Sequence, residues 1–130
     1  MRPTNDFGAK FLVVLFLLVG LSICGYWATQ LSAGFLSLGI STVINDSYIV
    51  WHIMAEIITG ALAIISAFLI LSRNMFGLRL GFFTCGMLLY TGLNSIGWGM
   101  RHDPGLLVLF IISAIGAIFG FFYFMGREEL

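Results

Sequence analysis

Two residues in this chain have the types and the spacing to do chemistry together: His52 and Glu56. In a helix the i, i+4 spacing puts both side chains on one face. There an imidazole and a carboxylate can share a proton or offer two ligands to a cation. The same face continues through Thr59, Gly60, Ala63, Ser66 and Ala67, all small or polar, while Ile53, Ile57, Ile64 and Phe68 cover other directions. A second polar group repeats every four residues at Tyr90, Asn94 and Trp98, with Thr91 and Ser95 alongside. His102 and Asp103 follow just after Met100.

The elements that must position these residues follow from composition. The 130 residues are 60% hydrophobic and 9% charged, with a mean hydropathy of +1.06. A soluble domain carries about 25% charged residues, so there is too little polar surface here for a water-exposed globule. A soluble enzyme, a nucleic-acid binder and a disordered tail are excluded, and the lipid bilayer is the expected environment. Six basic and six acidic residues cancel, so no net charge draws the chain to nucleic acid. A spanning helix needs about 20 mostly apolar residues, and four stretches qualify, at about 11–29, 49–71, 80–98 and 106–125. The connections at 72–79 and 99–105 are short, which predicts neighbouring helices. The expected fold is all-α: one domain over 1–130, an integral membrane four-helix bundle running up-down-up-down.

Orientation follows from the basic residues. Arg2, Lys10, Arg73, Arg79 and Arg127 fall on one side and only Arg101 on the other, a positive-inside pattern that puts both termini in the cytoplasm. Trp27, Trp51 and Trp98 then gather at the outer interface as expected anchors. Leu21-Ser22-Ile23-Cys24 has the look of a lipoprotein cleavage box, but Ile23 is bulky where a small residue is wanted, and the apolar run from Phe11 outlasts a signal core. A retained first helix is expected. The long first connection, about 33–46, is too apolar for a free loop and too polar to cross, and reads as an amphipathic helix on the outer interface. Gly77-xxx-Gly81 and Gly116-xxx-Gly120 have the small-xxx-small spacing of close helix packing. Cys24 and Cys85 fall at depths that differ by about 10 Å, too far for a disulfide.

Of all the charged residues, Glu56 alone falls well inside a span. An ionisable group at that depth is a functional candidate by default. Span three runs back toward the outer side, so its C-terminal part brings Tyr90 and Asn94 to the depth of His52 and Glu56. These four make the expected site, an outer-leaflet polar pocket. Ser22, Tyr26 and Gln30 could add to its rim, and the outer half of span four is apolar and should form the back wall.

Three chemistries are open to such a pocket. A divalent metal could take His52, Glu56, His102 and Asp103. Lipid favours the neutral carboxyl, so Glu56 could take up and release a proton in a small proton-coupled transporter. Haem between His52 and His102 is the least favoured, since one axial ligand would sit on a loop beside Pro104. Against all three stands a purely structural role, with Glu56 a protonated strut bonded to Asn94 or Tyr90. No nucleophile–base–acid set, phosphate loop or Cys-x-x-Cys occurs, so catalysis by the chain alone has no sequence support.

The segment Ala55-Glu56-Ile57-Ile58-Thr59-Gly60, followed by an apolar run and Arg73, resembles the small four-helix proteins of the DoxX-like group over about a third of the chain. That group has a glutamate-containing second span, a longish first connection and a basic second one. This chain departs from it in lacking a lysine at the end of span one and a proline before span two, and in having His52 one turn before the glutamate. The resemblance implies an accessory component of a membrane redox system, with Glu56 as the matching position. The expected function is therefore a ligand- or metal-binding accessory subunit of a larger membrane complex, or a homo-oligomer, with the proton-coupled transporter as the alternative.

Overall fold

The computed structural model describes residues 6–32, 47–102 and 104–127; for 47–49, 98, 101 and 102 only the helical backbone is described. The chain forms four helices: α1 (Phe7–Ser32), α2 (Ser47–Leu71), α3 (Met75–His102) and α4 (Pro104–Met125). Each is long and apolar enough to cross a membrane. The expected interfacial helix at 33–46 lies outside the described residues.

The helices are longer than their apolar cores. α1 begins before Phe11, and α3 takes in Met75–Arg79 at one end and Gly99–His102 at the other. Polar ends stay helical because the helix satisfies its own backbone. The expected 99–105 connection thereby contracts, and His102 belongs to α3 rather than to a loop.

The turn between α2 and α3 is tight. Arg73 N–H donates to the Ile70 carbonyl and Asn74 N–H to the Leu69 carbonyl, both at 3.0 Å. This is the paired bonding that closes a helix through a left-handed residue. That residue is Arg73, at φ 56°, where glycine is usual. Asn74 Oδ1 then accepts from the Phe76 N–H at 2.9 Å and starts α3. Arg73→Gly should raise stability by about 1 kcal/mol by removing the left-handed strain. Arg73→Ala keeps the strain and should give no gain. Equal gains from both variants in detergent denaturation would assign the effect to charge.

α1 packs on α2, α2 on α3 and α3 on α4, while α1 and α4 meet over far less of their length. The interior is filled by Leu12, Phe16 and Val19 of α1, Ala63 and Ala67 of α2, Leu78 and Leu88 of α3, and Ala117 and Phe124 of α4. Two glycine contacts set the spacing. A Cβ on Gly20 would lie 2.7 Å from the Gly60 carbonyl oxygen, so α1 and α2 touch backbone to backbone. Gly116 and Gly120 receive Leu15 and Leu12 of α1, and Gly120 also meets Cys85. That small-xxx-small pair is therefore used inside the chain. Both cysteines are free thiols.

The seam between α1 and α4 stays open as an apolar groove of about 480 Å³, lined by Phe11, Val14, Leu18, Ile112, Ile115 and Phe119, among others. It is clasped at one end. Asp6 caps α1 through the Ala9 N–H at 2.9 Å, accepts from the Tyr123 hydroxyl at 2.8 Å, and pairs with Arg127. Partial burial pushes the Asp6 carboxyl up, but the Ala9 N–H, the Tyr123 hydroxyl and the Arg127 guanidinium together outweigh it and hold the group below the usual carboxylate range. A depressed folded value means the clasp stabilises the fold above the unfolded value of about 3.9. That contribution is lost as pH falls through the folded value. Asp6 is partly exposed, so the effect should stay below about 1 kcal/mol. The stability gap between the wild type and Asp6→Asn should close on acidification; a gap constant with pH would refute the clasp.

Candidate functional site

Polar side chains run along the α2–α3 contact as a ladder. Near the Asp6 end of the bundle, Ser66 and Thr84 share a hydrogen bond of 2.9 Å. Further along, Thr59 and Thr91 stand 3.2 Å apart. Ser66, Thr59, Thr84 and Thr91 are all buried. The small polar face of α2 thus meets a matching stripe on α3, where Thr84, Leu88, Thr91 and Ser95 repeat at helical spacing and are each 3% exposed or less.

The ladder ends in a five-residue network around Glu56, which is 3% exposed. Its Oε2 accepts from the Trp27 indole N–H at 2.5 Å. Its Oε1 accepts from the Ser95 hydroxyl and lies 3.2 Å from His52 Nε2. On the far edge of the imidazole, Asn94 Nδ2 is 3.1 Å from Nδ1. If the Asn94 amide donates to Nδ1, the ring proton sits on Nε2 and points at Glu56. If the amide turns so that its oxygen faces the ring, Nδ1 can carry a proton as well. The network accommodates a neutral imidazole or an imidazolium by rotating one amide.

The structure brings together three of the four expected residues: His52, Glu56 and Asn94. Tyr90 departs from the expected pocket. It is 65% exposed and points out of the bundle, because it lies about 100° around α3 from the buried stripe. Asn94 shares that outer face but reaches back to His52 from its edge. Two partners of Glu56 escaped sequence reasoning. Ser95 sits on the buried stripe, and the spacing Thr84–Leu88–Thr91–Ser95 was the available signal. Trp27 was expected as an interfacial anchor, yet it is 3% exposed, since a buried carboxylate is a stronger acceptor for its N–H than the interface is. Trp51 is 72% exposed, as an anchor would be. The side chains of Trp98 and His102, and the whole of Asp103, lie outside the described residues.

Both carboxylate oxygens of Glu56 are engaged by neighbours within the protein. No cluster of three or more metal-ligating side chains occurs among the described residues. Of the expected metal set, His52 and Glu56 bond to each other and to neighbours within the protein, while the His102 side chain and Asp103 are outside the described residues.

Trp27→Phe deletes one donor and leaves Oε2 of a buried carboxylate bare, which should lower stability by about 1–3 kcal/mol. Wild-type thermal stability in detergent would show that the bond contributes nothing.

The fold is all-α, with four helices each long and apolar enough to cross a membrane, as in a multi-pass membrane protein, and with the Glu56 carboxyl group bonded in the interior of the bundle. The chain belongs to the DUF8058 family, a domain of unknown function, whose family model matches residues 8–129. No curated protein and no solved structure matches it.

Proposed function

We propose that the protein is a proton-binding membrane protein in which His52 and Glu56 hold an exchangeable proton for a proton-coupled step. The observation that carries this reading is the 3.2 Å separation of His52 Nε2 from Glu56 Oε1, within a network that fits either charge state of the ring. The helices run up-down-up-down with both termini cytoplasmic, in keeping with the basic residues around Lys10, Arg73 and Arg127. The Trp27 end of the bundle is then the outer one. In this frame Glu56 is the proton acceptor and His52 its donor. Ser95 and Trp27 hold the carboxylate in place and stabilise its charge when the proton leaves.

Acid–alkaline infrared difference spectra of the reconstituted protein test this directly. A neutral carboxyl band that Glu56→Gln lacks, or an imidazolium band that His52→Ala lacks, should appear on acidification. If neither band changes, Glu56 is a fixed strut between helices.

A second reading, an accessory subunit of a membrane complex, draws on the open α1–α4 seam. Its apolar groove could receive side chains from a neighbouring helix. The resemblance to DoxX-like proteins points the same way, toward a redox complex. Purification in mild detergent with mass spectrometry separates the readings: a subunit retains other chains, and a transporter purifies alone or as a homodimer.

A further inference from the structure

The two sides of Glu56 are built differently. Toward the Trp27 end stands His52, and beyond it Asn94, whose side of α3 is exposed. A proton arriving there meets an ionisable ring before it meets the carboxylate. Toward the Asp6 end the first polar group is the Thr59–Thr91 pair, and its protons are committed. The Thr59 hydroxyl donates to the Ala55 carbonyl of its own helix at 2.7 Å, so in their 3.2 Å contact Thr91 must be the donor. This short chain of donors ends on a backbone carbonyl and not on Glu56. Beyond it the interior is closed by Ala63, Leu88 and Val19, each 1% exposed or less. Along the α2–α3 contact the next hydroxyl, Ser66, is ten positions from Glu56, about 15 Å along the helix, while the buried Ser113 of α4 lies against Gly92 and donates to the Phe110 carbonyl of its own helix.

Among the described residues the other groups around the carboxylate do not offer a second route. From α1 the neighbours are the Trp27 indole, which only donates, and Cys24, whose sulfur lies against Gly60. α3 contributes Ser95, Thr91 and Asn94, and its Tyr90 points away from the site. The facing part of α4, from Leu106 to Phe110, has no ionisable side chain.

We propose that the His52–Glu56 pair exchanges its proton with the outer aqueous phase alone, through His52, and that the layer of Ala63, Leu88 and Val19 seals it from the cytoplasmic side. This rests on the proton-binding reading above and adds the side from which the proton comes. A coupled step therefore begins with loading from outside, and delivery inward requires the Ala63–Leu88 layer to part.

Trp27 provides the reporter, since its indole N–H is bonded to the carboxylate that changes charge. The protein carrying Trp51→Phe and Trp98→Phe is reconstituted into phosphatidylcholine vesicles, with its sidedness fixed by protease access to the N-terminus. The pH is then jumped on one side at a time. Trp27 emission should change within the mixing time after a jump on the outer side. It should stay constant after a jump on the cytoplasmic side until the gradient leaks. His52→Ala should slow the outer response. The infrared carboxyl and imidazolium bands of the same vesicles give a second readout of the same event. A fast response to the cytoplasmic jump, in emission or in the infrared, overturns one-sided access and leaves proton binding standing. Silence of both readouts to both jumps overturns proton binding, and this inference with it.

Discussion

Glu56→Gln should leave a folded protein that no longer binds the proton. The substituted amide keeps one oxygen, which can accept from Trp27, and places its NH₂ where Oε1 was. Ser95 can rotate its hydroxyl to accept, and His52 can shift its proton to Nδ1 if Asn94 turns its amide. Every partner of Glu56 seen in the structure can therefore be satisfied. The expected loss of stability is within about 1 kcal/mol, while the infrared acid–alkaline signal falls to background. Glu56→Leu is the contrasting variant. It leaves the Trp27 N–H without an acceptor and removes the partner of Ser95 and His52, and should lower stability by about 3 kcal/mol or more. A Glu56→Gln protein that retains its infrared titration and any coupled transport would return the carboxylate to a purely structural role.

Gly20→Leu should recover little folded protein. Its new Cβ would stand 2.7 Å from the Gly60 carbonyl oxygen and 2.8 Å from Ile64 Cγ1. The first of these is backbone and cannot swing aside, so α1 must move off α2. Overpacking of this kind costs about 1–3 kcal/mol or more. The displacement also pulls Trp27, two turns further along α1, away from Glu56, for roughly another 1–3 kcal/mol. Set against a total stability of about 5–15 kcal/mol, that sum is a large share. Gly25→Leu on the same helix is the control. A Cβ there meets nothing within 4 Å, and stability should stay within about 0.5 kcal/mol of wild type. Equal behaviour of the two variants, followed by size-exclusion profile and thermal melt, would mean that the α1–α2 contact is not as close as the structure has it.

The helices are legible in the sequence because runs such as Val50–Leu71 are long and apolar enough to cross a membrane. Their ends are not legible by the same signal. Gly99–His102 carries the polar marks of a loop, yet it continues α3, since an unbroken helix satisfies its backbone whatever its side chains are. At the site, His52 and Glu56 stand out as polar residues on a face of small ones. On α3 the period of four from Tyr90 to Asn94 follows an exposed face that neighbours the buried one. Ser95, a small hydroxyl that sequence analysis treats as a bystander, reaches Glu56 because its short side chain lets the helices close together. Trp27 shows the limit of residue preferences. An indole favours the interface on average, and a buried carboxylate one helix away changes the balance.

The three-residue turn from Ser72 to Asn74 has a consequence for biogenesis. In the membrane-spanning reading, with so little chain between them, α2 and α3 can leave the translocation machinery as a helical hairpin and enter the bilayer together. Alone, α2 would carry Glu56, His52, Thr59 and Ser66 into hydrocarbon with no partners, at a penalty of a few kcal/mol for the carboxylate alone. Entering as a pair, those groups face Ser95, Asn94, Thr91 and Thr84 from the start. Lengthening that turn with a flexible insert would then be felt first during synthesis, as degradation of a nascent chain whose second helix is too polar to insert unaccompanied.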